Sequence, residues 1–160
     1  MPGMWWIVAV AAAAALLVAG FVILRPVMAA RREARQAEAR RQFRRRREYL
    51  EAKFFELAAS LGSPRGLRWV DCDFDNEVAY ARDRRSRRLS AFVGVSIGFE
   101  AIEGGGMEDV EAVGNIRAAT AVFHFDDGRD EWTTEGRAIF NLNPAEAIRH
   151  FRSQLEMVVD

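Results

Sequence analysis

The segment WWIVAVAAAAALLVAGFVIL, residues 5–24, is an uninterrupted run of twenty uncharged residues that stops at Arg25-Pro26. As a helix it would be about 30 Å long, which matches the hydrocarbon core of a bilayer. Tryptophan and arginine are typical of membrane interfaces, so we expect Trp5 and Trp6 to flank the segment on one side and Arg25 on the other. The sequence therefore predicts a transmembrane anchor at residues 1–25.

The distribution of arginine predicts the orientation of this anchor. No basic residue precedes the apolar segment, whereas arginines are frequent after it. Because basic flanks are retained in the cytoplasm, we expect a single-pass protein of the inner or plasma membrane, with its N-terminus outside and its C-terminal domain in the cytoplasm.

A cleaved signal peptide is the alternative to a permanent anchor. Val27-Met28-Ala29 resembles a cleavage site, and cleavage after Ala29 would release a secreted domain. A signal peptide, however, carries its positive charge before the apolar stretch and not after it. The charge distribution therefore favours the uncleaved anchor.

The formal net charge of zero hides two oppositely charged regions. Residues 25–48 contain ten arginines and three glutamates, whereas residues 49–160 contain thirteen basic and twenty acidic residues. Such segregation predicts a different partner for each region. We therefore expect three parts: the anchor at 1–25, an arginine-rich juxtamembrane helix at 26–48 and a small acidic globular domain at 49–160.

The arginine-rich helix is expected to bind anions. Like charges four residues apart on a helix repel by about 0.2–0.5 kcal/mol per pair, so external anions would stabilise it. The candidate binding residues of this basic stem are Arg40, Arg41, Arg44, Arg45, Arg46 and Arg47. Their expected partners are membrane lipid headgroups or an acidic protein surface. A nucleic-acid partner is not expected, because the membrane anchor already accounts for a basic flank.

An apolar stripe with helical spacing follows within the same predicted helix. It comprises Phe43, Leu50, Phe54, Leu57 and Leu61. The stripe is shorter than the roughly three or four heptads of a sustained coiled coil, so it predicts a helix packed on a sheet, with coiled-coil pairing as the alternative. A homo-oligomer formed through this stripe, or through the small residues Ala11 and Ala15 of the span, stays open.

Alternation of apolar and polar residues replaces the helical spacing after Pro64. The predicted strands are 67–70, 78–82, 89–102, 118–125 and 131–141. A last helix is predicted after the N-cap Asn143, with Pro144 and Glu146 in its first turn. Its apolar face would comprise Ile148, Phe151, Leu155 and Val158. The expected fold is α+β, an antiparallel sheet of about five strands with the preceding helix and the C-terminal helix on one face.

Residue types that carry chemistry occur, but their spacing matches no known site. Asp71, Asp73, Asp75 and Glu77 alternate like the start of a calcium loop, but Asn76 replaces its glycine. A looser cation site on one strand face stays open. Carboxylates around Cys72 would raise the pKa of its thiol, which predicts an unreactive cysteine.

Histidine and serine complete this set. His124 and His150 lack metal-ligand spacing, and Ser90 and Ser96 have neither a nucleophile-elbow sequence nor a nearby base. We therefore assign no catalytic residue, no cofactor and no metal.

The function expected from these features is that of a membrane-anchored interaction or scaffolding module. The alternative is a ligand-binding or enzymatic domain with a pocket between sheet and helix. That pocket would bring together Trp69, Tyr80, His124 and aspartate or glutamate residues.

Overall fold

The computed structural model describes residues 4–61, 66–110 and 117–158. The chain divides into two compact units, Met1–Arg40 and Arg41–Asp160. The three-part division at 1–25, 26–48 and 49–160 stays a prediction. The fold class is confirmed at the level of α+β, with a long helix, a short helix and a curled five-stranded antiparallel sheet.

The first helix, α1, runs from Trp5 to Leu61 and includes Pro26 in its interior. The apolar side chains of its first part are exposed, and the helix is long and apolar enough to cross a membrane. No glycine or proline occurs between Val27 and Leu61, which explains why the helix continues.

The sheet consists of β1 (Leu67–Asp83), β2 (Leu89–Ala101), β3 (Arg117–Asp126), β4 (Glu131–Phe140) and β5 (Leu155–Val158). Its spatial order is β4-β3-β2-β1-β5, and each neighbouring pair is antiparallel. The short helix α2 (Pro144–His150) precedes β5.

The predicted strands 67–70 and 78–82 are one continuous strand, so the predicted break between them is wrong. Acidic residues are poor strand formers, which is why the sequence suggested a turn there. The ladder to the long strand β2 nevertheless continues through Asp71, Cys72, Asp73 and Phe74. A register shift between Phe74 and Val78 accommodates the extra residues as a bulge.

The predicted last helix begins as expected but ends earlier. Asn143 accepts from the amide of Glu146, and the Glu146 carboxylate accepts from the amide of Asn143, which forms a capping box. The helix ends at His150, and Leu155–Val158 pairs with Tyr80–Asp83. The apolar spacing at this end suits both a helix and a strand, and pairing with β1 decides for the strand.

The two helices pack on opposite faces of the sheet, so the expectation that both share one face is wrong. On one face, Phe43 of α1 contacts Tyr80, Phe123 and Trp132, with ring centroids 6.2, 5.3 and 4.9 Å away. On the other face, Ala147 and Ile148 of α2 pack with Ala81, Phe92 and Val122. The register separates the two sets, because Ala91 pairs with Tyr80 and Phe123 whereas Phe92 pairs with Val122.

The close approach of α1 to β4 depends on a glycine. Gly136 has φ +70°, and a Cβ atom there would lie 2.6 Å from the amide nitrogen of Ala58. Only glycine combines this backbone conformation with the absence of a side chain. Phe43, Leu50 and Phe54 of the predicted stripe are buried and Leu57 is partly buried, so this part is confirmed as a packing face. Leu61 is 69% exposed, so its expected place in that face is wrong.

We expect the Phe43→Ala variant to lose about 3–5 kcal/mol of unfolding free energy, because Phe43 is fully buried among three aromatic rings. Denaturant unfolding of the full chain in detergent, followed by tryptophan fluorescence, measures this loss. Tyr49→Ala on the same helix is the matched control, since Tyr49 is 63% exposed. Equal losses in both variants would contradict the packing described here.

Candidate functional site

The outer edge of β1 is largely open. On its inner side β1 pairs with β2 along most of its length. On its outer side β5 pairs only with Tyr80–Asp83. Within residues 4–61, 66–110 and 117–158, no strand pairs with the outer side of β1 from Leu67 to Ala79. Unpaired peptide groups on such an edge can accept an additional strand.

One arginine of the predicted basic stem closes part of this edge. The guanidinium of Arg47 donates to the carbonyl oxygens of Asp75 and Asn76, and the Nη1 to Asn76 distance is 2.8 Å. Its Nε also donates to the carboxylate of Glu51, four residues further along α1, at 2.6 Å. Arg47 therefore holds the bulge of β1 against α1. The open part of the edge is Leu67–Phe74.

A groove lies between this open edge and α1. It has a volume of about 300 Å³. We call it the β1 edge groove, and it is lined by Glu51, Ala52, Phe55, Val70, Asp71, Cys72 and Phe74. Its walls combine apolar side chains with carboxylates, so it can take an apolar side chain beside a basic one.

The Cys72 thiol in the β1 edge groove is unreactive at neutral pH. Burial raises its pKa to about 12, and the neighbouring Asp71 carboxylate adds to this effect. The direction predicted from the sequence is confirmed. Because the thiolate is the nucleophilic form, this cysteine is protonated at neutral pH and does not supply a reactive group.

The aspartates of β1 share a face. Asp71 and Asp73 pair with Gly98 and Ser96, which lie on the side of the sheet away from α1, and the Asp75 side chain lies over Gly94. All three are exposed. In the described part of the chain, no group of three histidine, cysteine, aspartate or glutamate residues is arranged to hold a metal ion. The cation site considered for these aspartates is therefore not formed, because they lie in a row and do not converge.

A second cleft lies on the far side of the sheet, next to the β3–β4 turn. It has a volume of about 380 Å³ and includes Ser86, Arg88, His124, Asp126 and Thr133 in its lining. Here Ser90 Oγ lies 2.9 Å from His124 Nδ1, so the expectation that Ser90 lacks a nearby base is wrong. The two residues are 34 positions apart and meet only because β2 pairs with β3.

The Ser90–His124 pair has the geometry of a structural hydrogen bond, and Ser90 is not placed to act as a nucleophile. Ser90 is only 3% exposed, so its hydroxyl does not reach a substrate in the cleft. Burial lowers the pKa of His124, and the Arg88 guanidinium lowers it further. The imidazole is therefore neutral at pH 7, and its hydrogen bond to Ser90 joins β2 to β3.

The residues of the alternative pocket do not meet. Trp69 packs edge-on against Phe99 and tilted against Phe140, at centroid distances of 5.4 and 6.5 Å. Tyr80 lies beneath Phe43 on the α1 face, whereas His124 lies on the opposite face with Ser90. The constellation of Trp69, Tyr80 and His124 is thus divided between the two sides of the sheet.

The remaining predicted site residues are distributed along α1. In the first unit, Trp5 and Trp6 are exposed, and the Arg25 guanidinium lies 4.3 Å from the centre of the Phe21 ring. Arg40 is partly buried in that unit. In the second unit, the side chains of Arg41, Arg44, Arg45 and Arg46 are exposed. The binding role of these arginines stays a prediction, and Arg47 is the member with an identified structural role.

Comparison with known protein families, curated proteins and solved structures finds no match to this chain.

We expect the His124→Gln variant to reduce the pH dependence of stability between pH 7 and 5. The native pKa of His124 lies below its usual value of about 6.5, so the unfolded chain binds the proton first as the pH falls. Native stability therefore falls as the pH drops through the unfolded pKa and levels off below the native one.

Urea unfolding at a series of pH values measures this slope. His150→Gln on α2 is the comparison variant, because it removes the exposed histidine. A His124→Gln protein with the parent slope would show that His124 is not the group responsible.

Proposed function

We propose that this chain is a single-pass membrane protein whose α+β unit binds another protein. Two features support this proposal. The apolar part of α1 has the length and composition of a membrane span. The β1 edge groove, beside an open strand edge, provides a surface suited to a polypeptide.

The open edge of β1 is the observation that carries the binding half of this proposal. Exposed strand edges are normally shortened, bulged or covered, because they attract other strands. Here eight residues, Leu67–Phe74, lie outside the β5 pairing, and a register shift between Trp69 and Asp71 interrupts the ladder to β2 within them. A partner strand would satisfy peptide groups of this edge, where the Cys72 amide donates to the Asp71 carboxylate in the chain alone.

The proposed location is the inner or plasma membrane, with the N-terminus outside and the α+β unit in the cytoplasm. The arginines that follow the span support this orientation, because basic flanks are retained on the cytoplasmic side. The exposed arginines of the basic stem would contact anionic lipid headgroups or an acidic protein surface.

Thiol labelling of intact cells tests the location. The Met4→Cys variant should react with a membrane-impermeant maleimide, whereas Asp127→Cys in the β3–β4 turn should react only after the cells are opened. Both positions are exposed, and the protonated thiol of Cys72 should give little background. Labelling of Asp127→Cys in intact cells, or a mature N-terminus at Ala30, would overturn the proposed anchor and its orientation.

Site-directed photo-crosslinking in native membranes tests the binding function. A photoreactive residue at Val70, which is 47% exposed beside the edge groove, should give a discrete adduct with another polypeptide. The same residue at Asp127 is the control and should give no adduct. Further positions at Tyr49 and Met157 sample the other exposed surfaces of the unit. Absence of discrete adducts from Val70, Tyr49 and Met157 would refute an interaction function.

A further inference from the structure

We propose that the outer edge of β1, from Leu67 to Phe74, binds an extended segment of another protein as an added strand, and that this segment alternates basic and apolar residues. This inference rests on the interaction function proposed above and specifies its site and chemistry.

The backbone of the segment would pair with the open edge. An added strand gains affinity from main-chain hydrogen bonds and selectivity from side chains at alternate positions. The inner side of β1 is committed to β2, so only the outer side is available. The hydrogen bonds from Arg47 to the carbonyl oxygens of Asp75 and Asn76 limit the available edge at one end. The available segment is therefore Leu67–Phe74.

The charge on one face of this edge selects basic side chains. Asp71 and Asp73 are exposed on the face away from α1, and Asp75 follows on the same face. Side chains of an added strand would lie directly beside them, where opposite charges stabilise and like charges destabilise the pair. Lysine or arginine at every second position of the segment would meet this row of carboxylates.

The other face of the edge selects apolar side chains. The intervening residues of the segment would point toward α1, where Ala52, Phe55 and Phe74 line the edge groove. Alternation is required because successive side chains of a strand point to opposite faces. The register shift between Trp69 and Asp71 interrupts this alternation, so the part of the edge that reads a two-residue repeat is 71–74. The groove volume of about 300 Å³ limits the size of the apolar member.

A second copy of this chain does not fit the same edge. Two β1 edges related by a two-fold axis would pair antiparallel and keep their faces aligned. Asp71 of one copy would then lie beside Asp73 of the other, or Asp73 beside Asp73. Like charges directly opposite each other destabilise such a pair. The carboxylates thus disfavour self-pairing while they favour a basic partner.

Binding of synthetic peptides to the full chain tests this inference. The protein is placed in phosphatidylcholine nanodiscs, whose lipid has no net charge, and the probe is a fluorescein-labelled octapeptide of alternating arginine and valine. Fluorescence anisotropy should show tighter binding than for the glutamate and valine counterpart. Two further peptides carry N-methyl groups on alternate amides in the two opposite registers. One of them should lose at least about tenfold in affinity, since it loses several main-chain hydrogen bonds.

Charge reversal on β1 provides the second arm. Asp73→Lys should weaken the arginine peptide by about fivefold and strengthen the glutamate peptide, because it removes one exposed ion pair and introduces repulsion. Asp127→Lys, the same change at an exposed residue of the β3–β4 turn, should leave both affinities unchanged. Asp73→Asn serves as a milder variant if circular dichroism shows that Asp73→Lys is not folded.

The outcomes separate this inference from the interaction function. Equal binding of the arginine and glutamate peptides, or equal binding of both methylated peptides, would refute strand addition by a basic segment. Photo-crosslinks from Tyr49 or Met157 with none from Val70 would keep the interaction function but move it away from β1. Binding that depends on Asp73 and on one methylation register would support the inference.

Discussion

The packing of Phe43 against the sheet is the interaction on which the second unit depends. Its ring fits among Tyr80, Phe123 and Trp132, which belong to three different strands. Phe54 repeats the arrangement eleven residues later, with Phe74 and Phe123 each 5.8 Å away. Without this helix face, the α1 side of the sheet would expose its aromatic side chains to water, at a cost of about 25 cal/mol per Å².

This packing also determines where the sheet stays open. One side of the sheet is covered by α1 and part of the other by α2, and β5 extends the sheet only beside Tyr80–Asp83. Arg47 reaches from α1 to the carbonyl groups of the bulge, so the helix fixes β1 at the place where its register shifts. The rest of the outer edge lies beside a groove and has no partner strand among the described residues, although the Cys72 amide there donates to the Asp71 carboxylate. The proposal of strand binding depends on this edge.

Several features were predictable because they depend on neighbours in the chain. The capping box at Asn143 and Glu146 satisfies amides of a single turn, and the buried stripe from Phe43 to Phe54 follows from helical spacing alone. The continuity of β1 was not predictable, because its acidic residues favour a turn when only their neighbours in the chain are considered. Pairing with β2 outweighs this local preference and keeps the segment extended. The hydrogen bond between Ser90 and His124 joins residues 34 positions apart, and no local spacing signals it.

The amino-acid sequence by itself determined the apolar segment of α1, the segregation of charge, the α+β class and the positions of most helix and strand starts. These properties arise from side-chain polarity, periodicity and capping, which act within a few residues. Only the tertiary structure decided that Leu155–Val158 is a strand, that the helices lie on opposite faces and that β1 has an open edge. The reason is that strand pairing and register are set by hydrogen bonds between distant segments, and these bonds override local preference where a partner strand is available.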